Sequence, residues 1–537
     1  MTGALLVILG VLLLLPGTAS AQPPHVPESE AIRIAERDAK VVEQREARGE
    51  LSHSTDLVDG AWEVGFFAAG EQVAVVVVDP EMGIVRESWT GYQVAWKMAR
   101  GYPGAFGHKL NAPYVFLPLC ALFLIGLVDW RRPWRIANLD LLVLLGFGVS
   151  NFFFNRAEIG VSVPLQYPVL LYLFCRCLWI GLRGRAEGLR PAWPAAWLLI
   201  AALFLVGFRV GLNVADSGTI DVGYAGVVGA DRITHAEPLY GNFPDDVAQG
   251  DTYGPVNYLA YVPSEAIWPW QGSWDDLPAA HGAAVLFDLA TFALLILLGL
   301  RIRPGPAGRK LAATLAFGWA AYPYTAYALE SNSNDSLVAL LLVATLLVLA
   351  RPIARGTMLA LATLTKFAPL VLLPMLATLT PAGDAAAGAP DSAGRRRRPS
   401  TWGRAAAGPA GLTLAAFAVT AATLLLWPAI EPGLATVWDR TVGYQADRDS
   451  PFSIWGQAPG LEPLRIAILV AVGALALALA FWPKRKSPIQ AAALGAALLI
   501  GLQLTAQHWF YLYIVWFYPL VLFTMSYNDT HKMTQFR

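Results

Sequence analysis

Residues 194–233 read PAAWLLIAALFLVGFRVGLNVADSGTIDVGYAGVVGADRI. The first half is long and apolar enough to cross a hydrocarbon layer about 30 Å thick. The second half is polar and glycine-rich, and it opens a loop running from about Val214 to about His281. Chemistry needs water, ionisable groups and fixed geometry, and here they meet at one membrane face. Apolar runs of this length recur along the 537 residues, of which 56% are hydrophobic and 15% charged. Soluble domains carry roughly 25% charged residues. The chain therefore reads as an all-α polytopic membrane protein. Its net charge of zero gives no field for nucleic acid. Cys120, Cys175 and Cys177 all fall in apolar runs and read as small packing residues.

Working outward, hydropathy predicts eleven spans, near 112–130, 138–155, 164–182, 194–213, 281–300, 311–328, 336–350, 405–428, 463–482, 488–506 and 509–526. Basic residues gather on one side: Arg131, Arg132, Arg135, Arg183, Arg185, Arg301, Arg303, Arg309, Lys310, Arg351, Arg355, Arg395 to Arg398, and Lys484 to Lys486. Cytoplasmic loops carry this excess. The bias sets the loops 214–280, Ser331–Asp335 and 429–462 outside. Gly356 to Leu379 breaks the alternation. It carries Lys366 and Pro369 in its middle, and reads as a broken helix pair that enters from the cytoplasm and returns, two short spans joined by another route being the alternative. Irregular backbone at that depth needs a protein or water lining. Residues 380–404 read as a cytoplasmic linker and 527–537 as a cytoplasmic tail.

The chain opens on ALLVILGVLLLLPGTASA, whose short apolar run and Ala19-Ser20-Ala21 fit a signal peptide over residues 1–21, an uncleaved anchor being the alternative. Residues 22–110 then form a small extracytoplasmic α+β domain. Glu28 to Arg48 has helical periodicity, and Ala61–Phe67, Gln72–Val78 and Gly83–Trp89 read as strands between turns. Residues 111–193 supply accessory transmembrane helices before the main membrane domain, 194–526.

Several residues could carry chemistry, each beside a plainer role. Asp216 and Asp221 could serve as general bases or as a loop acid and a helix cap, and Asp231 and Arg232 could pair. Asp251, Tyr253, Tyr258 and Tyr261, in GDTYGPVNYLAYVP, suit sugar stacking and hydroxyl bonding, or an interfacial aromatic belt. Trp268, Trp270 and Trp274 fit the belt better. Lys366 is an ammonium in a membrane segment, functional by default, with phosphate as natural partner and an Asp288 pair as the alternative. Asn334 and Asp335, in SNSNDS, could cap a helix or bind polar substrate groups. Arg440 and Arg448 sit in DRTVGYQADRDSPFSIWG against the charge bias. They suit phosphate, or ion pairs with Asp439, Asp447 or Asp449. His508 could be an interfacial residue or a donor to a leaving phosphate.

The order of these features resembles the integral-membrane GT-C superfamily, closest to the GT87 polyprenyl-phosphomannose-dependent mannosyltransferases. It runs from an early Asp in an outer loop to Y-G-P, S-N-x-N-D, K-F-x-P and R-D-S-P-F-S-I-W-G. WEVGFFAAGEQVAVVVVDPEMGIVRESWTG resembles PepSY-type domains. The resemblance implies a plasma-membrane transferase that moves a sugar from a polyprenyl phosphate to an envelope glycan or glycolipid on the outer face, with inversion. It implies Asp221, matching D-x-x-x-Y with Tyr224, as general base, and Asp216 as the competing assignment. Lys366, Arg440, Arg448 and His508 would steady the departing phosphate. Tyr224, Asp251, Tyr253, Asn334 and Asp335 would contact sugar or acceptor. No nucleotide fold is implied, and no cofactor or metal is expected. The competing functions are a flippase of lipid-linked sugars and a sensor built on the N-terminal module.

Overall fold

A computed structural model describes residues 26–58, 60–101, 108–381, 408–446, 448 and 450–527. The expected signal, most of the linker with Arg395–Arg398, Asp447, Asp449 and all but the first residue of the tail lie outside the described residues. The chain divides into two compact units at Arg100 and Gly101.

The smaller unit is an α+β layer. Its charged segment is two helices, Glu28–Glu36 and Ala39–Arg48, where periodicity predicted one. The break falls at Asp38, whose side chain accepts from Lys40 N and caps the second helix. Four antiparallel strands follow in sequence order, β1 Ser52–Val58, β2 Ala61–Ala68, β3 Glu71–Val78 and β4 Val85–Thr90. Opposed pairs such as Val64–Val76 and Phe66–Ala74 face the helices through Ala31, Ala35 and Val41. The β3–β4 turn is wound on Asp79. Its carboxylate accepts from Glu81 N and Met82 N at 2.8 Å and from Arg86, and the Met82 N–H first, then Arg86, hold it below the usual carboxylate range.

The larger unit is mostly helical. Six helices among the described residues are long and apolar enough to cross a membrane: Ile136–Phe154, Ile159–Arg183, Ala195–Asp216, Pro278–Ile302, Pro409–Gly443 and Pro459–Phe481. Five other apolar helices are shorter: Pro113–Leu127, Asp335–Leu347, Ala368–Ala377, Pro488–Gln503 and Tyr511–Ser526. Six rather than eleven segments thus meet the length test. Proline explains one difference. The run predicted at 311–328 is cut at Tyr322, which is extended before Pro323, the first residue of a new helix.

Buried polar groups tie these helices together. Arg209 Nη2 donates to Asp288 Oδ1 at 2.8 Å, and its Nη1 donates to the Trp319 carbonyl and Thr325 Oγ1. Trp319 Nε1 donates to the same Asp288 oxygen at 2.9 Å. Asp288 therefore belongs to Arg209 and not, as the sequence allowed, to Lys366.

Candidate functional site

Asp221 is the first residue of the helix Asp221–Thr234, and its Oδ1 accepts from Val222 N at 2.9 Å. The SNSNDS turn holds the chain just before it. Gly218 N donates to the Glu330 carbonyl and Ile220 N to the Ser331 carbonyl. Asn332 Nδ2 donates to Ser217 Oγ and to the Gly218 carbonyl. The approach is close enough that a Cβ at Gly223 would lie 2.2 Å from the Asn332 carbonyl oxygen.

Lys366 stands at a helix break. The helix Pro352–Thr363 stops there because Pro369 has no N–H and its ring would strike the carbonyl of Thr365. Chain continues as the short helical turns Ala368–Leu372 and Leu373–Ala377. Lys366 Nζ donates to Asp335 Oδ1 at 2.5 Å, and Trp516 Nε1 donates to the same oxygen at 2.7 Å. The rings of Tyr253, Tyr513 and Trp516 surround the ammonium at 5.1–5.5 Å. Such contacts favour a desolvated cation.

Arg448 and His508 complete the cluster. Arg448 lies 5.8 Å from the Tyr444 ring centre. His508 Nδ1 shares a hydrogen bond of 2.8 Å with Ser450 Oγ, and Phe452 meets its ring edge-on at 5.5 Å. Burial, then Arg448 and Lys366, hold the imidazole well below its ordinary pKa, so it is neutral near pH 7. Solvent reaches Asp221, yet protein surrounds it closely. Loss of water pushes its pKa up, while Arg448 first and Lys366 less strongly pull it down. Asp221, Lys366, Arg448, His508, Tyr253 and Asp335 are thus brought together, from segments up to 287 residues apart by number (508 − 221).

The other predicted residues lie elsewhere or have protein partners. Asp216 ends the preceding helix and faces Lys109 at 3.7 Å. Arg440 holds Asp251 with Nε at 2.7 Å and Nη2 at 2.6 Å, so among the described residues its ion pair is with Asp251 and not with Asp439. Tyr224 is fully buried, with its hydroxyl donating to Asp246 at 3.1 Å. Asn334 Nδ2 donates to Asn257 Oδ1 at 2.5 Å, and neither Asn334 nor Asp335 caps its helix by a side-chain bond. Asp231 and Arg232 do not pair: Asp231 takes His235 at 3.3 Å, and Arg232 takes Glu237 at 3.5 Å.

Sequence reasoning missed Tyr513, Trp516 and Ser450. The first two were readable in principle, since a Tyr and a Trp three apart share a helical face and a buried indole N–H needs an acceptor.

Gly254 joins the loop that follows Asp221–Thr234 to the helix break. Val256 N donates to the Leu364 carbonyl, and a Cβ on Gly254 would fall 2.1 Å from that oxygen. Gly254→Ala should therefore push Tyr253 off Lys366 and destabilise the protein by about 1–3 kcal/mol. A thermal midpoint in detergent equal to wild type would contradict this close fit.

Among the described residues, no three His, Cys, Asp or Glu side chains are grouped to hold a metal ion. No family model, curated protein or solved structure matches this chain.

Proposed function

We propose that the protein is a GT-C-like membrane glycosyltransferase of the plasma membrane. In this reading it moves a sugar, mannose or another hexose or pentose, from a polyprenyl-phosphate donor to an envelope glycan or glycolipid. The reaction takes place on the extracytoplasmic face, where the N-terminal domain also lies. The apolar helices form about eleven spans with a re-entrant pair at Lys366. The observation that carries the reading is the meeting of one solvent-accessible carboxylate with Arg448, Lys366 and neutral His508.

The chemistry follows from that arrangement. Asp221 takes the proton of the acceptor hydroxyl as its oxygen attacks the anomeric carbon. The bond from that carbon to the donor phosphate breaks, and the phosphate departs with the electron pair. Arg448 meets the new charge. Lys366 contributes less net charge, because Asp335 already balances it. A groove of about 900 Å³, almost wholly apolar, supports a lipid-borne donor. Leu171, Phe174, Leu464 and Ile468 line it from two apolar helices, and Ile454 and Trp455 from the segment that bears Ser450. An isoprenoid chain fits such a lining.

Purified protein given labelled polyprenyl-phosphate sugars and membrane glycolipids should release polyprenyl phosphate and form an inverted glycoside. The break at Lys366 also favours a flippase, since broken helices with a charge at mid-depth mark transporters. Donor lipid crossing the bilayer of proteoliposomes, with no release of polyprenyl phosphate from any donor tried, would replace the transferase by that reading.

Acidity gives a second check. The active form is the Asp221 carboxylate, whose pKa is raised, so kcat/KM should climb with pH along a limb above the ordinary Asp value of about 3.9. Arg448 lowers that pKa, so Arg448→Gln should move the limb to still higher pH. A limb at or below the ordinary value would remove Asp221 from the role.

A further inference from the structure

The segment 267–279 folds over the helix that begins at Asp221. With Val227 and Ala279 it encloses a half-open cavity of about 220 Å³ lined by Trp268, Trp270, Gln271 and Asp275. A lipid-facing belt would explain tryptophans here, but these indoles are positioned by protein. Trp268 fits against Gly282, where a Cβ would come within 2.7 Å of its ring. Trp270 Nε1 donates to the Ser273 carbonyl at 3.0 Å and Trp274 Nε1 to the Thr219 carbonyl at 3.3 Å. Trp274 also lies 4.9 Å from the Tyr224 ring centre.

The rings are held but not covered: Trp268 is 44% and Trp274 40% exposed. An exposed, fixed indole face beside an amide and a carboxylate matches a pyranose. The C–H face of the sugar lies on the ring, and its hydroxyls reach Gln271 and Asp275. Gln271 Nε2 donates to the Pro269 carbonyl at 3.1 Å and Asp275 Oδ1 accepts from Leu277 N at 2.9 Å, which fixes both side chains and turns Gln271 Oε1 and Asp275 Oδ2 to sugar hydroxyls, and the volume suits one ring better than a chain.

Position gives the cavity a role. Tyr224, one turn beyond Asp221, packs against the Trp270 and Trp274 rings at 6.1 and 4.9 Å, and Val227, a further turn on, lines the cavity. Val227 is six residues beyond Asp221, about 9 Å along the axis. That is farther than a single pyranose reaches. We infer that the Trp268–Asp275 segment is an acceptor subsite, which grips a neutral pyranose of the acceptor glycan one or more rings away from the hydroxyl presented to Asp221. The inference rests on the transferase reading for the word acceptor, and on the cavity for the sugar.

The test is direct binding. Full-length protein in detergent is titrated with short linear oligosaccharides of the manno, gluco and galacto series and followed by saturation-transfer NMR. At least one series should bind, and Trp268→Ala and Asp275→Ala should each weaken it about tenfold or more. Trp268→Phe should restore most of the affinity. Trp134→Ala, at a 98% exposed tryptophan outside the cavity, should bind as wild type. No binding by wild type, or equal binding by Trp268→Ala, overturns the subsite. Weaker insertion of Trp268→Ala into liposomes with unchanged sugar binding overturns it in favour of a lipid belt. Sugar binding that needs Trp268, with no transfer from any lipid-linked donor, would remove the transferase reading and leave the sugar site standing.

Discussion

Asp221→Asn will leave a folded protein whose transfer rate falls about 10²–10⁴-fold, the usual contribution of a positioned general base. The amide has the size of the carboxylate and can still accept from Val222 N, but it cannot take a proton. Asp216→Asn is the matched control. Asp216, 26% exposed, meets the 55% exposed Lys109 at 3.7 Å, and such surface pairs contribute about 0–1 kcal/mol. Its turnover should stay within a few-fold of wild type. Full activity in Asp221→Asn, or an equal loss in Asp216→Asn, would transfer or abolish the role.

Lys366→Met should be the most damaging single change to stability. It leaves the Asp335 carboxylate fully buried, with Trp516 Nε1 as its side-chain donor among the described residues. Breaking a buried pair by removing one member costs about 3–5 kcal/mol, because the other charge stays without water. Asp335→Asn should do similar harm from the other side. The double variant Lys366→Met/Asp335→Leu removes both charges and should regain most of the lost thermal midpoint in detergent. It should regain transfer only in part, because one of the two cations near Asp221 is gone while Arg448 remains. A double variant that falls by the sum of the two singles would mean that the pair is not coupled.

The general class was legible from few residues. A charge deficit and repeated apolar runs speak for bilayer helices, and the small N-terminal sheet showed in the alternation of β2 and β3. β1 was invisible for a physical reason: SHSTDLV is exposed on both faces, so it has no period-2 pattern to read. Lys366 was legible because an ammonium among apolar residues demands an answer. The identity of that answer was not. Asp288 and Asp335 are both embedded carboxylates, and only packing shows that Arg209 has taken the first. Asp251 and Arg440 lie 189 residues apart, so no local spacing could join them. Asp216 and Asp221 are five residues apart on a loop, and choosing between them required knowing where the helix begins.

Trp516 donates to Asp335, and Tyr513 stacks on Trp516 at 4.3 Å while bordering Lys366. The ribosome therefore delivers Asp335 and Lys366 well before the aromatic pieces that shield them. Until the final helix threads into place, that carboxylate and ammonium have an unfinished wall and must stay hydrated. Insertion of the last segment is thus coupled to drying of the centre, and an incompletely translated chain keeps its ion pair wet.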